Sequence, residues 1–166
     1  MNLDTIQLQP IVLQGLYKQS LVEFKTNPRA EVANTAASVN ILGKNLKRIV
    51  IVVNNPAVAF LEDDELNFLL GILSACKLNM DDVCIVNIAK NEGIDYNRLE
   101  AELTAEKVFL FGTSPGKIKL PFTFPDYQVQ QYNHQVYLSA PDLSVLQHDK
   151  AEKTKLWNCL KQIFSI

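Results

Sequence analysis

The sequence is organised as short, continuous apolar runs separated by segments with helical periodicity. Three apolar runs, at 48–53, 83–88 and 108–112, predict strands that are covered on both faces, and the first of them is rich in β-branched residues. Between them, residues 65–76 and 96–104 carry apolar side chains at the spacing of an α-helix. Strands that alternate with helices predict an α/β fold, here three layers, α/β/α, with a central, mainly parallel sheet.

The N-terminal part of the chain has a different pattern. Residues 11–24 place apolar side chains at a helical period and predict an amphipathic helix. Residues 25–46 are polar and predict a connector with one short strand near 39–42. We therefore expect two parts: an N-terminal helix and polar connector at 1–46, and an α/β domain at 47–166.

The C-terminal third combines edge strands with a last helix. Residues 118–138 contain prolines and alternating stretches, which predict short edge strands or hairpins. Residues 154–164 predict a terminal amphipathic helix. Four of its side chains are expected to face the core: Leu156, Trp157, Leu160 and Phe164.

Composition and charge narrow the class of protein. The chain has 166 residues, of which 48% are hydrophobic and 20% charged, and this fits one globular domain. A net charge of −2 argues against a broadly basic nucleic-acid-binding surface. No apolar run is long enough to span a bilayer, and MNLDTIQLQP lacks the basic and apolar regions of a secretory signal. We expect a cytoplasmic protein with no membrane partner.

Cysteine and histidine offer little support for a metal or disulfide site. Cys76, Cys84 and Cys159 form no C-x-x-C pair, so they are predicted to be buried, free thiols. Two histidines, His134 and His148, cannot supply three ligands alone. We expect no metal and no cofactor.

Candidate chemistry concentrates in the turns that follow the predicted strands. Ligands of open α/β sheets bind beyond the carboxyl ends of the strands, where these turns would meet. FGTSPGK lacks the spacing of a phosphate loop, and no serine or cysteine stands in a nucleophile elbow, so no catalytic residue is assigned. The candidate site residues of the turns are Asn54, Asn55, Asn87, Ser139 and Pro141.

Three segments resemble the uracil-DNA glycosylase superfamily. LNFLLGILSACKLNMDDVCIVNIAKN resembles its helix–strand unit, VFLFGT its next strand, and SAPDLSVLQHDKAEKTKLW stands where its His-Pro motif and Trp-bearing helix occur. The resemblance implies that Asn87 corresponds to the asparagine that reads the base. Two motifs differ, because Asn54-Asn55-Pro56-Ala57 replaces the acid-bearing segment and the histidine position falls at Ser139 or Ala140. We therefore expect no enzyme activity from this scaffold.

Residues 48–83 are also similar to the psi subunits of bacterial DNA polymerase III, which share this fold without glycosylase activity. FGT and SAPDLSVLQHDKAEKTKLWNCLKQI extend that similarity, whereas residues 25–46 and 113–135 depart from it. The resemblance implies a role in DNA replication, with clamp-loader and chi-like subunits as partners and any contact with DNA indirect. The partner-binding role of the N-terminal segment would fall on Leu13, Leu16, Tyr17 and Leu21.

Three alternatives stay open. The chain could be a base-recognising relative of the glycosylases, either an enzyme or a binding protein, or a degenerate member with an unrelated binding role. The N-terminal helix could pack on the body or on a partner. A closed crevice at the strand ends would favour assembly, whereas an open slot lined by Asn55 and Asn87 would favour base recognition.

Overall fold

The computed structural model describes residues 38–166 of the chain. The predicted helix at 11–24, with its four partner-binding residues, lies outside the described residues. One compact unit begins at Val39. It includes the short strand expected within the polar connector, Ile41–Gly43, which joins the sheet by pairing with residues 84–86.

Six strands form one mixed sheet. In chain order they are β1 (Ile41–Gly43), β2 (Ile49–Val53), β3 (Val83–Asn87), β4 (Lys107–Phe111), β5 (Val129–Tyr132) and β6 (Gln135–Ala140). Their order across the sheet is β1-β3-β2-β4-β6-β5. The inner pairs β3–β2, β2–β4 and β4–β6 are parallel, and the edge strands β1 and β5 are antiparallel to their neighbours. The three predicted apolar strands are β2, β3 and β4, and the predicted edge hairpin is β5–β6.

Four α-helices complete the described part of the chain. They are α1 (Asp63–Ala75), α2 (Tyr96–Leu103), α3 (Leu143–His148) and α4 (Lys150–Phe164), and a 3-10 helix spans Pro115–Ile118. Each of the four α-helices has an acidic residue at its N-cap. Glu62 and Glu65 form a capping box on α1, and the other three α-helices have aspartate caps. Within residues 38–166 no helix is long and apolar enough to cross a membrane.

The core lies on both faces of the sheet, because successive strand residues point to opposite sides. Ile49, Ile51 and Val53 of β2 pack with α1, α3 and α4, whereas Val50 and Val52 pack with α2. The predicted double-sided burial of the strands is therefore confirmed, and the fold is of the α/β class.

Three details of the predicted core can be compared with the structure. In α4, Leu156 and Leu160 are buried, whereas Trp157 and Phe164 are only partly so. All three cysteines are buried and free, as predicted.

Candidate functional site

Asn87 ends β3 and is fully buried. Its Oδ1 accepts hydrogen bonds from the backbone N–H groups of Asn55 (3.0 Å) and Ala89 (3.1 Å). Its Nδ2 donates to the carbonyl oxygens of Asn55 (2.6 Å), Val58 (3.0 Å) and Ala59 (3.2 Å). A side-chain amide has two N–H donors and one oxygen with two lone pairs. The backbone of the loop at 54–59, together with the Ala89 N–H, therefore uses the full hydrogen-bonding capacity of Asn87.

Two further asparagines, Asn55 and Asn91, hydrogen-bond the backbone near the carboxyl ends of β2 and β3, in the region that we call the corner around Asn87. Asn55 Oδ1 accepts from the Ala57 N–H at 2.9 Å, which closes an Asx turn. Asn91 Nδ2 donates to the Asn87 carbonyl at 2.9 Å, and its Oδ1 accepts from the Asn40 N–H at 2.7 Å. The asparagine side chains at the ends of β2 and β3 thus form hydrogen bonds with backbone groups of this chain. The amide of Asn87 is therefore not available to bond the edge of a nucleic-acid base in this conformation.

A crevice beside Asn54 and Asn55 is almost closed. Its volume is about 10 Å³, which accommodates about one water molecule. Glu65 borders it and is 8% exposed. Burial raises the pKa of the Glu65 carboxyl, and the neighbouring carboxyl of Asp142 adds to this effect. The crevice is thus bordered by two carboxyl side chains, but its volume leaves no room for an organic ligand.

Ser139 and Pro141 lie at a different cavity, beyond the ends of β4 and β6. Its volume is about 370 Å³. Ser139 is buried and its Oγ donates to Asp126 Oδ1 at 2.6 Å. The Thr113 hydroxyl, which is also buried at this cavity, has no hydrogen-bond partner among the described residues. The aromatic ring of Phe124 completes the lining.

The predicted site residues are therefore divided between two places. Asn54 and Asn55 border the small crevice, Ser139 and Pro141 border the larger cavity, and Asn87 borders neither. Neither of these two cavities is bordered by all five candidate residues. Neither His134 nor His148 borders these two cavities.

A second surface, the groove between α1 and α4, has the opposite character. Its volume is about 330 Å³ and its lining is almost entirely apolar. The floor includes Leu156 and Leu160, each 2% exposed, and the half-buried rings of Phe68 and Trp157 also line it. We call this surface the α1–α4 groove; its lining residues are Asn67, Phe68, Gly71, Ile72, Ala75, Lys153, Leu156, Trp157 and Leu160.

Two lysines of α4 lie against the aromatic rings of the α1–α4 groove. Lys153 Nζ is 5.3 Å from the centroid of the Phe68 ring, and Lys161 Nζ is 5.6 Å from that of Trp157. Neither ammonium forms an ion pair with any residue in the range 38–166. The groove thus combines an apolar floor with two unneutralised positive charges.

Helical periodicity predicts that Trp157 faces the core, where it is partly buried, but it does not predict the groove that the ring also lines. A pattern that could have indicated it is the pair of small residues Gly71 and Ala75, one turn apart on a helix that is otherwise strongly apolar. The sequence alone does not show whether another helix covers the face of α1 that bears these two residues.

Neither a scan against protein-family models nor a search of curated proteins finds a match for this chain. Within the described range, no three His, Cys, Asp or Glu side chains are grouped to hold a metal ion. The function is therefore inferred from the chain's own residues.

Proposed function

We propose that this chain is a non-catalytic, psi-like accessory subunit of the clamp-loader assembly of a replicative DNA polymerase. It acts by protein–protein contacts with clamp-loader and chi-like subunits, and DNA is contacted only indirectly. One observation carries the proposal: the amide of Asn87, which the resemblance matches to the base-reading asparagine of the glycosylases, is used in full by backbone groups of this chain, chiefly those of the loop after β2.

The fold implied by the proposal is the uracil-DNA glycosylase-like form of an α/β/α protein. The parallel core β3-β2-β4-β6 and the helices packed against both of its faces support it. So does the position of Asn87 at the end of the strand that follows α1.

The residues at the other motif positions also support a role without catalysis. Where the resemblance requires a histidine, Ser139 donates its hydroxyl proton to Asp126, and Ala140 has no polar side-chain group. A glycosylase must stabilise the negative charge that develops on the departing base. Neither side chain can present an imidazolium for that purpose.

The test is capture of partners from an extract of the native cell by the tagged full-length chain, with identification by mass spectrometry. We expect clamp-loader and chi-like subunits to be recovered. The double variant Leu16→Glu, Leu21→Glu places charge on the apolar face of the predicted N-terminal helix and should abolish recovery of the clamp loader.

The matched control is Gln14→Glu, Gln19→Glu, which adds the same charge to polar positions of that predicted helix and should leave recovery unchanged. Recovery of neither clamp-loader nor chi-like subunits by the unmodified chain would contradict the proposal. Equal loss in both double variants would remove the assigned role of Leu13, Leu16, Tyr17 and Leu21.

Base recognition is the second candidate function, and the cavity of about 370 Å³ favours it. The orphaned Thr113 hydroxyl could bond a polar ligand, and the ring of Phe124 could stack on a planar one. The test is binding of free uracil, together with release of uracil from uracil-containing single- and double-stranded DNA. Saturable binding of uracil by the unmodified chain, or release of uracil from either DNA, would favour this function over assembly, and loss of that binding in Thr113→Val would assign it to this cavity.

A further inference from the structure

We propose that the α1–α4 groove is a docking site for an amphipathic helix of a partner protein, one whose acidic side chains flank its apolar face. The inference rests on the proposed assembly function only in taking the partner to be a protein. Three features of the groove carry it: its lining, the glycine in its wall, and the lysines at its rim.

The lining favours a protein segment over a small molecule. Small-molecule sites usually contain a few convergent polar groups that fix the orientation of the ligand. Here the polar lining residues are Asn67 and Lys153, and the remaining seven are apolar or glycine. An apolar groove between two helices is instead the form of site that receives the apolar face of a third helix.

Gly71 lies within α1, where glycine costs about 1 kcal/mol relative to alanine. The fold does not require this glycine. A Cβ built at Gly71 meets no atom within 4 Å, and the residue is not in the left-handed region. Ala75 lies one turn further along the same wall. Small side chains at these two positions allow a partner backbone to approach α1 closely, which gives the glycine a purpose that the isolated fold does not.

The positive charges at the rim of the groove indicate that the partner carries negatively charged side chains. Lys153 and Lys161 are about two turns apart on α4, which corresponds to about 12 Å along the helix. Among residues 38–166, the lining of the groove contains no acidic residue, and the acids Asp63 and Asp64 lie in the first turn of α1, before Asn67. Glu152 of α4 is bonded to Lys155 at 2.6 Å. A partner helix with acidic residues about two turns apart on the side facing α4 would neutralise both free lysines.

The first experiment measures binding to the full-length chain by tryptophan fluorescence. Trp157 is the chain's single tryptophan, so its emission reports directly on the groove. The probe is a peptide of about 15 residues, long enough to form a helix, with leucines at helical spacing and glutamates two turns apart beside them. We expect a saturable change in Trp157 emission. The same peptide with lysine in place of glutamate should bind at least about tenfold more weakly.

Two pairs of variants localise the site. Gly71→Leu fills the groove and should weaken binding at least about tenfold, whereas Gly116→Leu adds the same side chain at another glycine with open space around it and should have no effect. Lys153→Glu with Lys161→Glu should reverse the preference between the two peptides. Lys150→Glu, which changes a lysine of α4 outside the groove, should leave the preference unchanged. Thermal denaturation of each variant checks that the fold is intact.

Several outcomes would overturn the inference. No saturable change below about 1 mM peptide would remove the docking site. Equal binding of the acidic and basic peptides would remove the assigned partner chemistry. Self-association that Gly71→Leu abolishes would make a second copy of this chain the occupant. Failure of the unmodified chain to capture any clamp-loader or chi-like subunit would refute the assembly role and not the groove, because the peptide measurements do not depend on those partners.

Discussion

The corner around Asn87 and the α1–α4 groove are built on opposite principles. At the corner, polar side chains are abundant and their hydrogen bonds are directed at the chain's own backbone, with a residual crevice of about 10 Å³. In the groove, the fold leaves about 330 Å³ beside apolar side chains that nothing within the described residues covers. The comparison shows that a side chain with the functional groups of a binding residue, such as Asn87, can have all of its hydrogen bonds taken by the protein's own backbone. The apolar surface that is left uncovered lies elsewhere, in the groove. A partner is therefore more readily accommodated in the groove.

The largest expected effect tests whether Asn87 has this structural role. Asn87→Ala removes five hydrogen bonds to backbone groups, several of them buried, and should lower the free energy of unfolding by about 3 kcal/mol. Urea denaturation measures it. Asn54→Ala, an exposed asparagine in the adjoining turn, is the control and should change stability by less than about 0.5 kcal/mol. If the two variants were equally stable, Asn87 would be free for another role and the contrast with the groove would fail.

Gly112 follows β4 and lies, like Asn87, at the carboxyl ends of the parallel strands, where it offers a second test of the comparison. Gly112 has a φ of +61°, and a Cβ there would lie 2.6 Å from Asp142 Oδ2. Gly112→Ala should therefore cost about 2 kcal/mol, from backbone strain and from displacement of the Asp142 carboxylate. Thermal denaturation monitored by circular dichroism measures the loss. Unchanged stability would show that the strand-end edge has room that the static packing does not reveal.

The same substitution in the groove should act in the opposite direction. Gly71→Ala places a methyl group in open space and removes a glycine from a helix interior, so it should stabilise the fold by about 1 kcal/mol. The measurement is the urea midpoint of the two proteins. A loss of stability in Gly71→Ala would mean that α1 has a close neighbour at this position, and the groove would then not be empty.

The main strands and helices can be predicted from the sequence because the patterns that specify them lie within short segments of the chain. The runs at 48–53, 83–88 and 108–112 are apolar and nearly continuous, and each forms a buried strand of the sheet. Local sequence also marks the start of α1, where Glu62 and Glu65 form a capping box.

The features that escaped prediction depend on contacts between distant residues. Asn87 bonds Asn55 across 32 positions of the chain, so its amide is used up by a loop that the local pattern does not connect to it. By contrast, the short strand predicted near 39–42 is present as β1, which lies at the edge of the sheet and is not fully buried. Trp157 is partly buried against the core, but helical periodicity cannot tell that its ring also lines a groove between α1 and α4.

The smallest expected effect concerns the pH dependence of the closed crevice. Burial, with a further contribution from Asp142 and Glu62, raises the pKa of Glu65 in the folded protein. The folded state then retains a proton that the unfolded state has lost, so stability falls as the pH rises from the ordinary glutamate pKa to the higher folded value. Glu65→Gln removes this ionisation and can still accept the hydrogen bond from the Glu62 N–H.

Glu65→Gln should therefore be more stable than the unmodified protein at about pH 7, and the difference should shrink at about pH 4, where the unmodified Glu65 is protonated in both states. Urea denaturation at the two pH values measures the change. Asp64→Asn, which neutralises an exposed acid in the same helical turn, is the control, and its effect should not favour the variant at neutral pH, because an acid in the first turn stabilises a helix. A pH-independent difference for Glu65→Gln would mean that the crevice admits enough water to solvate the carboxylate, and the strand-end edge would then be less closed than the groove comparison requires.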